Sequence, residues 1–411
     1  MKILIASKFF YPRGGAELVA INTRRVLMEH GHDVRVFAMD YPLNMDIPDK
    51  KDFASQVEFF GGTASKLKAV RRMMGRGDVA AKARKALEEF RPDVVHLHNV
   101  HSYLSPVIAE IASQMGIRVV WTLHDYKLIC PAYSCRTADG KVCEECFGGN
   151  PLPVVRRRCM KGSLPASLMA WAEARRWSKK RMDEATDLFI APSRFMARKM
   201  EQAGYDRAKI AVLCNFADPD KIRLLSEIAA DCRKERRDKP YFCYIGRLSE
   251  EKGVETMIQA AVVAGVDLRI AGTGPLEALY RERYAGKSGI TFAGHLDAPG
   301  VARLLAGASA SVLPSEWYEN NPLGVIESLS TGTPVIGADI GGIPELINTE
   351  PTSSGPRNGV VYPSRDKRAL AAIFRDFRPD AYSPHAIAEA AQRDFSVETH
   401  YDRLIQLYAR P

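Results

Sequence analysis

Short apolar runs that end at a loop and hand over to a helix recur along this chain, and this rhythm restricts its fold more than any other feature. Lys2–Ser7 (KILIAS) leads into the loop Lys8–Gly15 and a helical stretch from Ala16 to about His30, after which Val34–Ala38 resumes as strand. The same order returns at Asp93–His98, Arg118–Leu123, Asp187–Ala191 and Lys209–Leu213. It restarts at Tyr241–Ile245, Leu268–Ala271, Ile290–Ala293, Ala310–Leu313 and Pro334–Ile336. Such alternation predicts parallel sheets with helices on both faces and ligands at the carboxyl ends of the strands. At 411 residues the chain is too long for one ordinary core. It suits two α/β, Rossmann-like, doubly wound domains of about 200 residues each.

The first domain is expected over 1–218 and the second over 241–382, with the charged stretch 219–240 as a short helix plus linker. The end of the chain, 383–411, has helical periodicity at Phe395, Tyr401, Leu404, Ile405 and Tyr408. Further helices are expected over Tyr103–Met115 and Ser193–Ala203, with a long basic one over Ser163–Glu184, whereas 40–78 offers only a strand near Val57–Phe60. The amino terminus reads as a first strand and not a signal peptide, and no apolar run of 18 residues suggests a membrane span.

The stretch Ser315–Gly342 carries the clearest chemistry. A loop after the strand Ala310–Leu313 holds Glu316 and Glu319, and Asn320, Asn321 and Pro322 are helix-start signals, with amides to cap free N–H groups. The helix then holds Glu327 in its second turn and stops at Gly332. Glu319 and Glu327 cannot share a helix face, so they suit two parts of one extended ligand rather than a metal or an acid–base pair. Between them the N–H groups of Leu323, Gly324 and Val325 form an anion site, and Gly324 lets a phosphate come close. Glu327, an acceptor only, suits the two hydroxyls of a ribose. Upstream, Arg247 and Lys252 flank a loop at a helix N-terminus, as two fixed cations would to hold a diphosphate.

The pair Glu319 and Glu327, inside PSEWYENNPLGVIESLSTGTPVIG and followed by GGIPELI, resembles the Glu-x7-Glu arrangement of the family 4 retaining glycosyltransferases (group 1), enzymes of the GT-B fold. The resemblance extends over nearly the whole chain. It implies two Rossmann-like domains facing across a cleft, with a C-terminal helix crossing back to the first. It also implies that Gly14 and Gly15 close over the donor diphosphate, that Arg247 and Lys252 hold the leaving diphosphate after Gly246, and that Gly272 and Gly274 lie beside the nucleotide. Glu319 would orient the donor sugar next to Asn320, and His124 would stand against that sugar at the reaction centre. A histidine bonded to Asp125 and otherwise silent is the other reading of His124. His98 and Asn99 would line the acceptor side; His96 and His98 share a strand face but have no evident third metal ligand.

The implied activity is transfer of a sugar, with retention and without a catalytic metal, from a UDP- or GDP-sugar to a glycan or lipid-linked acceptor in cell-surface polysaccharide or glycolipid synthesis. A sugar-nucleotide epimerase or phosphorylase of the same fold, and a non-catalytic nucleotide-binding partner in a polysaccharide assembly complex, are the alternatives. The net charge of +9 gathers in the first half, at Lys66–Arg76, Lys82–Lys85, Arg156–Lys161 and Arg175–Arg181. Few aromatics interleave these clusters and no nucleic-acid module is legible, so an anionic membrane face ranks above nucleic acid, with a cytoplasmic, peripheral location. A basic face that binds nothing is the third possibility.

Five of the eight cysteines fall between 130 and 159. Cys143-Glu-Glu-Cys146 has the spacing of a zinc knuckle, and Cys130 or Cys135 with Cys159 would complete four thiolates. The set taken is Cys130, Cys143, Cys146 and Cys159, with a structural zinc ranked above an iron–sulfur cluster.

Overall fold

A computed structural model describes residues 1–233, 239–353 and 355–409, and these form two six-stranded sheets with parallel pairing throughout. The first contains β1 (Lys2–Ala6), β2 (Asp33–Phe37), β3 (Val94–Leu97), β4 (Arg118–Thr122), β5 (Leu188–Ala191) and β6 (Ile210–Val212), in the order β2-β1-β3-β4-β5-β6. The second contains β7 (Tyr241–Ile245), β8 (Asp267–Ala271), β9 (Ile290–Gly294), β10 (Ala310–Leu313), β11 (Val335–Asp339) and β12 (Gly359–Pro363), in the order β12-β11-β10-β7-β8-β9. Strands buried on both faces read as continuous apolar runs, which is why they were legible. Chain order reverses between β1 and β3 in one sheet and between β7 and β10 in the other, so each has a crevice there.

Two compact units result: Met1–Cys214 with the chain from Tyr401 on, and Asn215–His400. The first has a core of Ile3, Ile5, Val36, Val120 and Ile190 among others, joined by Leu404, Leu407 and Tyr408 from the carboxyl end. The second packs Phe242, Tyr244, Met257, Ile258, Leu268 and Ile270 under β7 and β8.

Several local expectations need correction. The stretch 219–240 contains the 14-residue helix Pro219–Cys232. Its Leu225, Ile222 and Ile228 pack with Val301, Leu304 and Leu305, so that helix is part of the second unit; residues 234–238 of the expected linker lie outside the described residues. The final segment is two helices, Pro384–Asp394 and Val397–Ala409, and Ser396 Oγ starts a new turn by accepting the Thr399 N–H at 3.1 Å. Ile387 and Ala391 of the first helix pack on Val325 and Leu329 within the second unit, and only the second helix reaches the first.

The long basic helix is divided into Leu164–Arg176 and Lys179–Glu184, because Trp177 turns inward and its indole N–H donates to the Met73 carbonyl at 2.7 Å. The helix expected from Tyr103 begins at Val107, after Pro106, which disfavours helical backbone in the residue before it. Near Val57 there is no strand among the described residues; a 3-10 turn at Pro48–Asp52 and the helix Thr63–Met73 fill the region. On that helix Arg72, expected on an exposed basic surface, is buried, 2.5 Å from Asp78 Oδ1 and donating to the Ser55 and Tyr103 carbonyls.

Candidate active site

The crevice of the second unit lies where β7 and β10 run side by side, with Ala310 opposite Phe242 and Ser311 opposite Cys243. The loop after β7 carries Arg247 and Lys252; the loop after β10 carries Glu319. Lys252 Nζ donates to Glu319 Oε1 at 2.6 Å, and the same oxygen accepts from Ser315 Oγ and Trp317 Nε1, each at 2.8 Å. Burial of Glu319 opposes its charge, but the Lys252 ammonium and these hydrogen bonds outweigh it and hold the carboxyl below the usual range. The Gly342 N–H fixes the Glu319 carbonyl at 2.7 Å. Lys252 is brought here by Gly253, which has φ 66° and lies so close that a Cβ would overlap the Pro314 carbonyl oxygen. Glu316 accepts from Thr256 Oγ1 at 2.6 Å and pairs with Arg365 at 3.3 Å. Arg247 is exposed, and among the described residues its guanidinium has no ion-pair partner.

Gly246, Gly272 and Gly274 come together, for a packing reason. The Gly272 backbone, at φ 124°, lies against the Gly246 carbonyl, and a Cβ at Gly274 would strike the Leu248 backbone. The loops are tied by Gly246 N–H to Ala271 O at 3.0 Å and Leu248 N–H to Thr273 O at 2.9 Å. These glycines therefore set the floor on which Arg247 stands.

The helix Leu323–Ser330 begins at Pro322 without a side-chain cap. Asn321 does not cap it; its Oδ1 accepts the Asn215 N–H at 3.0 Å. The Val325 N–H, expected to be free, bonds the Pro322 carbonyl at 3.0 Å. Nothing would meet a Cβ at Gly324 within 4 Å, so the approach there is open. Glu327 pairs with Lys221 at 2.5 Å, a partner sequence reasoning missed. Asp218 at its helix cap was the available signal: its Oδ1 accepts the N–H groups of Asp220 and Lys221.

In the first unit Gly14 caps the helix Gly15–Glu29 with extended backbone, and space around Gly15 is open. His124, after β4, bonds His98 and not Asp125: His98 Nδ1 and His124 Nε2 are 2.8 Å apart, and Asp125 Oδ1 accepts the Lys127 N–H. Burial pushes His124 down to about 4, so it is a neutral imidazole near pH 7. His96 bonds Thr122 Oγ1 and the Tyr408 hydroxyl, each at 2.7 Å, and so serves the packing of the last helix. A cluster of Phe9, Tyr11, Tyr41 and Tyr103 beside the β1 loop was not anticipated, because its members are scattered in sequence.

The four expected zinc ligands, Cys130, Cys143, Cys146 and Cys159, line one small cavity, and all eight cysteines are free thiols. Among the described residues no three or more His, Cys, Asp or Glu side chains stand in metal-holding geometry. No described helix is long and apolar enough to cross a membrane.

Two parallel doubly wound sheets, with paired charges at the switch point of the second, define an α/β architecture with a ligand crevice at each switch point. The model described as Glycosyltransferase Family 4 matches residues 13–221, and that described as Glycosyl transferases group 1 matches residues 239–377, so the chain belongs to the family 4, group 1 glycosyltransferases. It is 32% identical over 188 residues to a glycogen synthase of Mycobacterium tuberculosis, covering 43% of this chain and 44% of the relative. It is 24% identical over 315 residues to the sulfoquinovosyl transferase SQD2 of Arabidopsis thaliana, covering 75% and 54%. The chain thus spans about half the length of the curated relatives it matches. Among solved structures, HepE of Anabaena in complex with UDP and glucose superposes with a TM-score of 0.64 at 18% identity, covering 100% of both chains. Sucrose-phosphate synthase of Thermosynechococcus elongatus gives 0.67 at 19%, covering 99% of this chain and 98% of that one. At such identities the likeness establishes the GT-B fold.

Proposed function

We propose that this chain transfers a sugar, with retention at the anomeric carbon, from a nucleotide diphospho-sugar to a glycan or lipid-linked acceptor. The observation that carries this reading is the Lys252–Glu319 pair at the β7/β10 switch point, with Arg247 exposed on the loop after β7 and the approach to Gly324 open. Breaking the bond from anomeric carbon to phosphate leaves negative charge on the diphosphate and positive charge on the sugar. Lys252 has three N–H donors and gives one to Glu319, so two remain for phosphate oxygens. Arg247 and the helix N-terminus supply the remaining stabilisation, in the part a divalent cation would otherwise take. All three bonds to Glu319 fall on Oε1, and Oε2 is the face for donor-sugar hydroxyls. Glu327 takes the ribose, and neutral His124 contacts the sugar by hydrogen bonding. In this reading the leaving phosphate oxygen accepts the acceptor's proton on the same face.

The UDP and glucose in the HepE structure and the ADP of Arabidopsis starch synthase IV support a nucleotide-sugar donor. Charge supports the acceptor class and a peripheral, cytoplasmic-face location: the net charge is +9, and Lys66, Lys68 and Arg71 stand exposed on the helix Thr63–Met73 with exposed Leu67. The test is nucleotide release from UDP-, GDP- and ADP-sugars without added Mg2+ or Mn2+, with and without lipid-linked acceptors, reading the anomeric configuration of the product by NMR. An inverted product, a metal requirement, or consumption of donor without acceptor would each reject the corresponding part.

A further inference from the structure

We propose that the segment between β4 and the helix Leu164–Arg176 is folded around one zinc ion held by Cys130, Cys143, Cys146 and Cys159.

This connection holds one regular helix, the four residues Pro153–Arg156, and one isolated bridge, Arg136 to Val142. Loops longer than about 12–15 residues without secondary structure are uncommon in compact domains unless something else holds them. Here the backbone is also held in costly conformations: Tyr133, Cys135, Arg158 and Lys161 have φ of 59°, 50°, 47° and 53°, the left-handed region non-glycine residues avoid. Such residues persist where the surroundings over-determine them. Across its some forty residues the segment's large buried hydrophobic side chains are Leu123, Tyr126, Ile129, Phe147 and Val154.

Local hydrogen bonds bring the four thiols to one place. The Cys143 N–H bonds the Cys135 carbonyl at 2.8 Å and closes the hairpin over Arg136–Val142. Phe147 N–H to Glu144 O and Gly149 N–H to Cys146 O, both 3.1 Å, wind Cys143-Glu144-Glu145-Cys146 into a knuckle. The Cys159 N–H bonds the Val154 carbonyl at 3.0 Å, folding the last cysteine back over the short helix. All four line a cavity of about 10 Å³, with Arg136 and Phe147 in its wall. That is the lower limit of the ~10–15 Å³ a water needs, and room for a single ion. Cys135 is not in the lining.

Four sulfurs on a closed site suit tetrahedral Zn2+, which has no geometric demand of its own and is redox-inert. On binding, four thiols release four protons to solvent and four Zn–S bonds form, giving a site of net charge −2 beside Arg136. Because no three of these side chains stand in metal-holding geometry among the described residues, binding must turn the thiols inward by side-chain rotation.

The test uses the full chain purified without a polyhistidine tag. Plasma mass spectrometry is expected to find one zinc and no iron per chain, and titration with a mercurial to release all of it once the chain's eight thiols have been titrated. Cys143→Ser and Cys146→Ser should lose the metal, while Cys135→Ser and Cys232→Ser keep it. Should the ligand variants fail to fold, the ultraviolet thiolate charge-transfer band of the cadmium-exchanged wild type reports four sulfur ligands. Metal-free protein, iron in place of zinc, zinc retained in Cys143→Ser, or a band for fewer than four thiolates would each overturn the assignment.

Discussion

Lys252 Nζ stands 2.6 Å from Glu319 Oε1, joining the loop after β7 to the loop after β10 across the switch point of the second sheet. Glu319 is buried at 7% exposure, so its charge depends on that partner. Lys252→Met should therefore destabilise the protein by about 3 kcal/mol, the usual cost of an uncompensated buried charge. It should also lower turnover on the order of a hundredfold. Adding Glu319→Gln is expected to recover much of the stability and none of the turnover. Denaturant melts of the two variants beside nucleotide-release rates separate these effects, and equal melts for single and double variants would count against the coupling.

Arg247 gives the complementary case. Its side chain is exposed without an ion-pair partner among the described residues. Arg247→Ala should cost turnover on the order of a hundredfold, as loss of one charge-stabilising donor does. Its melting temperature should match the wild type. A wild-type rate would remove Arg247 from the diphosphate site.

Glu327 and Lys221 pair at 2.5 Å, but Lys221 is 36% exposed, so the pair contributes at most about 1 kcal/mol to folding. Glu327→Ala is expected to leave stability nearly unchanged and to weaken donor binding about tenfold or more, with nucleoside diphosphate affinity falling in parallel. Calorimetric titration with the nucleotide and its 2′-deoxy analogue checks this: Glu327→Ala should erase the preference for the ribose. Persistence of that preference would contradict ribose recognition.

His124 and His101 are both pushed down to about 4, in each case first by burial. In the unfolded chain a histidine takes a proton near pH 6.5. Between about 6.5 and 4 the unfolded state thus binds protons that the native state refuses, and native stability falls with pH across that window. Each histidine steepens the fall by at most about 1.4 kcal/mol per pH unit. Denaturation at pH 7.5, 6 and 5 should show this slope, and His124→Gln should lessen it. Identical slopes would show that His124 protonates in the folded protein.

Much of the molecule was legible because buried parallel strands are continuous apolar runs and their loops carry glycine and charge. Three of the corrections share one cause: side chains with distant partners. Trp177 breaks a helix that periodicity would continue, because its indole N–H finds the Met73 carbonyl. Arg72 looks like surface charge until Asp78, Ser55 and Tyr103 enclose it. Asn321, a sound cap by type, is taken by Asn215.

By itself the sequence determined the two α/β units, the residue types at the ends of β7 and β10, and the four cysteines to watch, since local propensity, burial pattern and spacing are properties of short stretches. Only the tertiary structure decided that Lys252 belongs to Glu319, Lys221 to Glu327 and His98 to His124. Each of these pairs forms across strands or helices that sheet order makes neighbours. Pairing energy depends on distance and burial, and neither exists until the chain has folded.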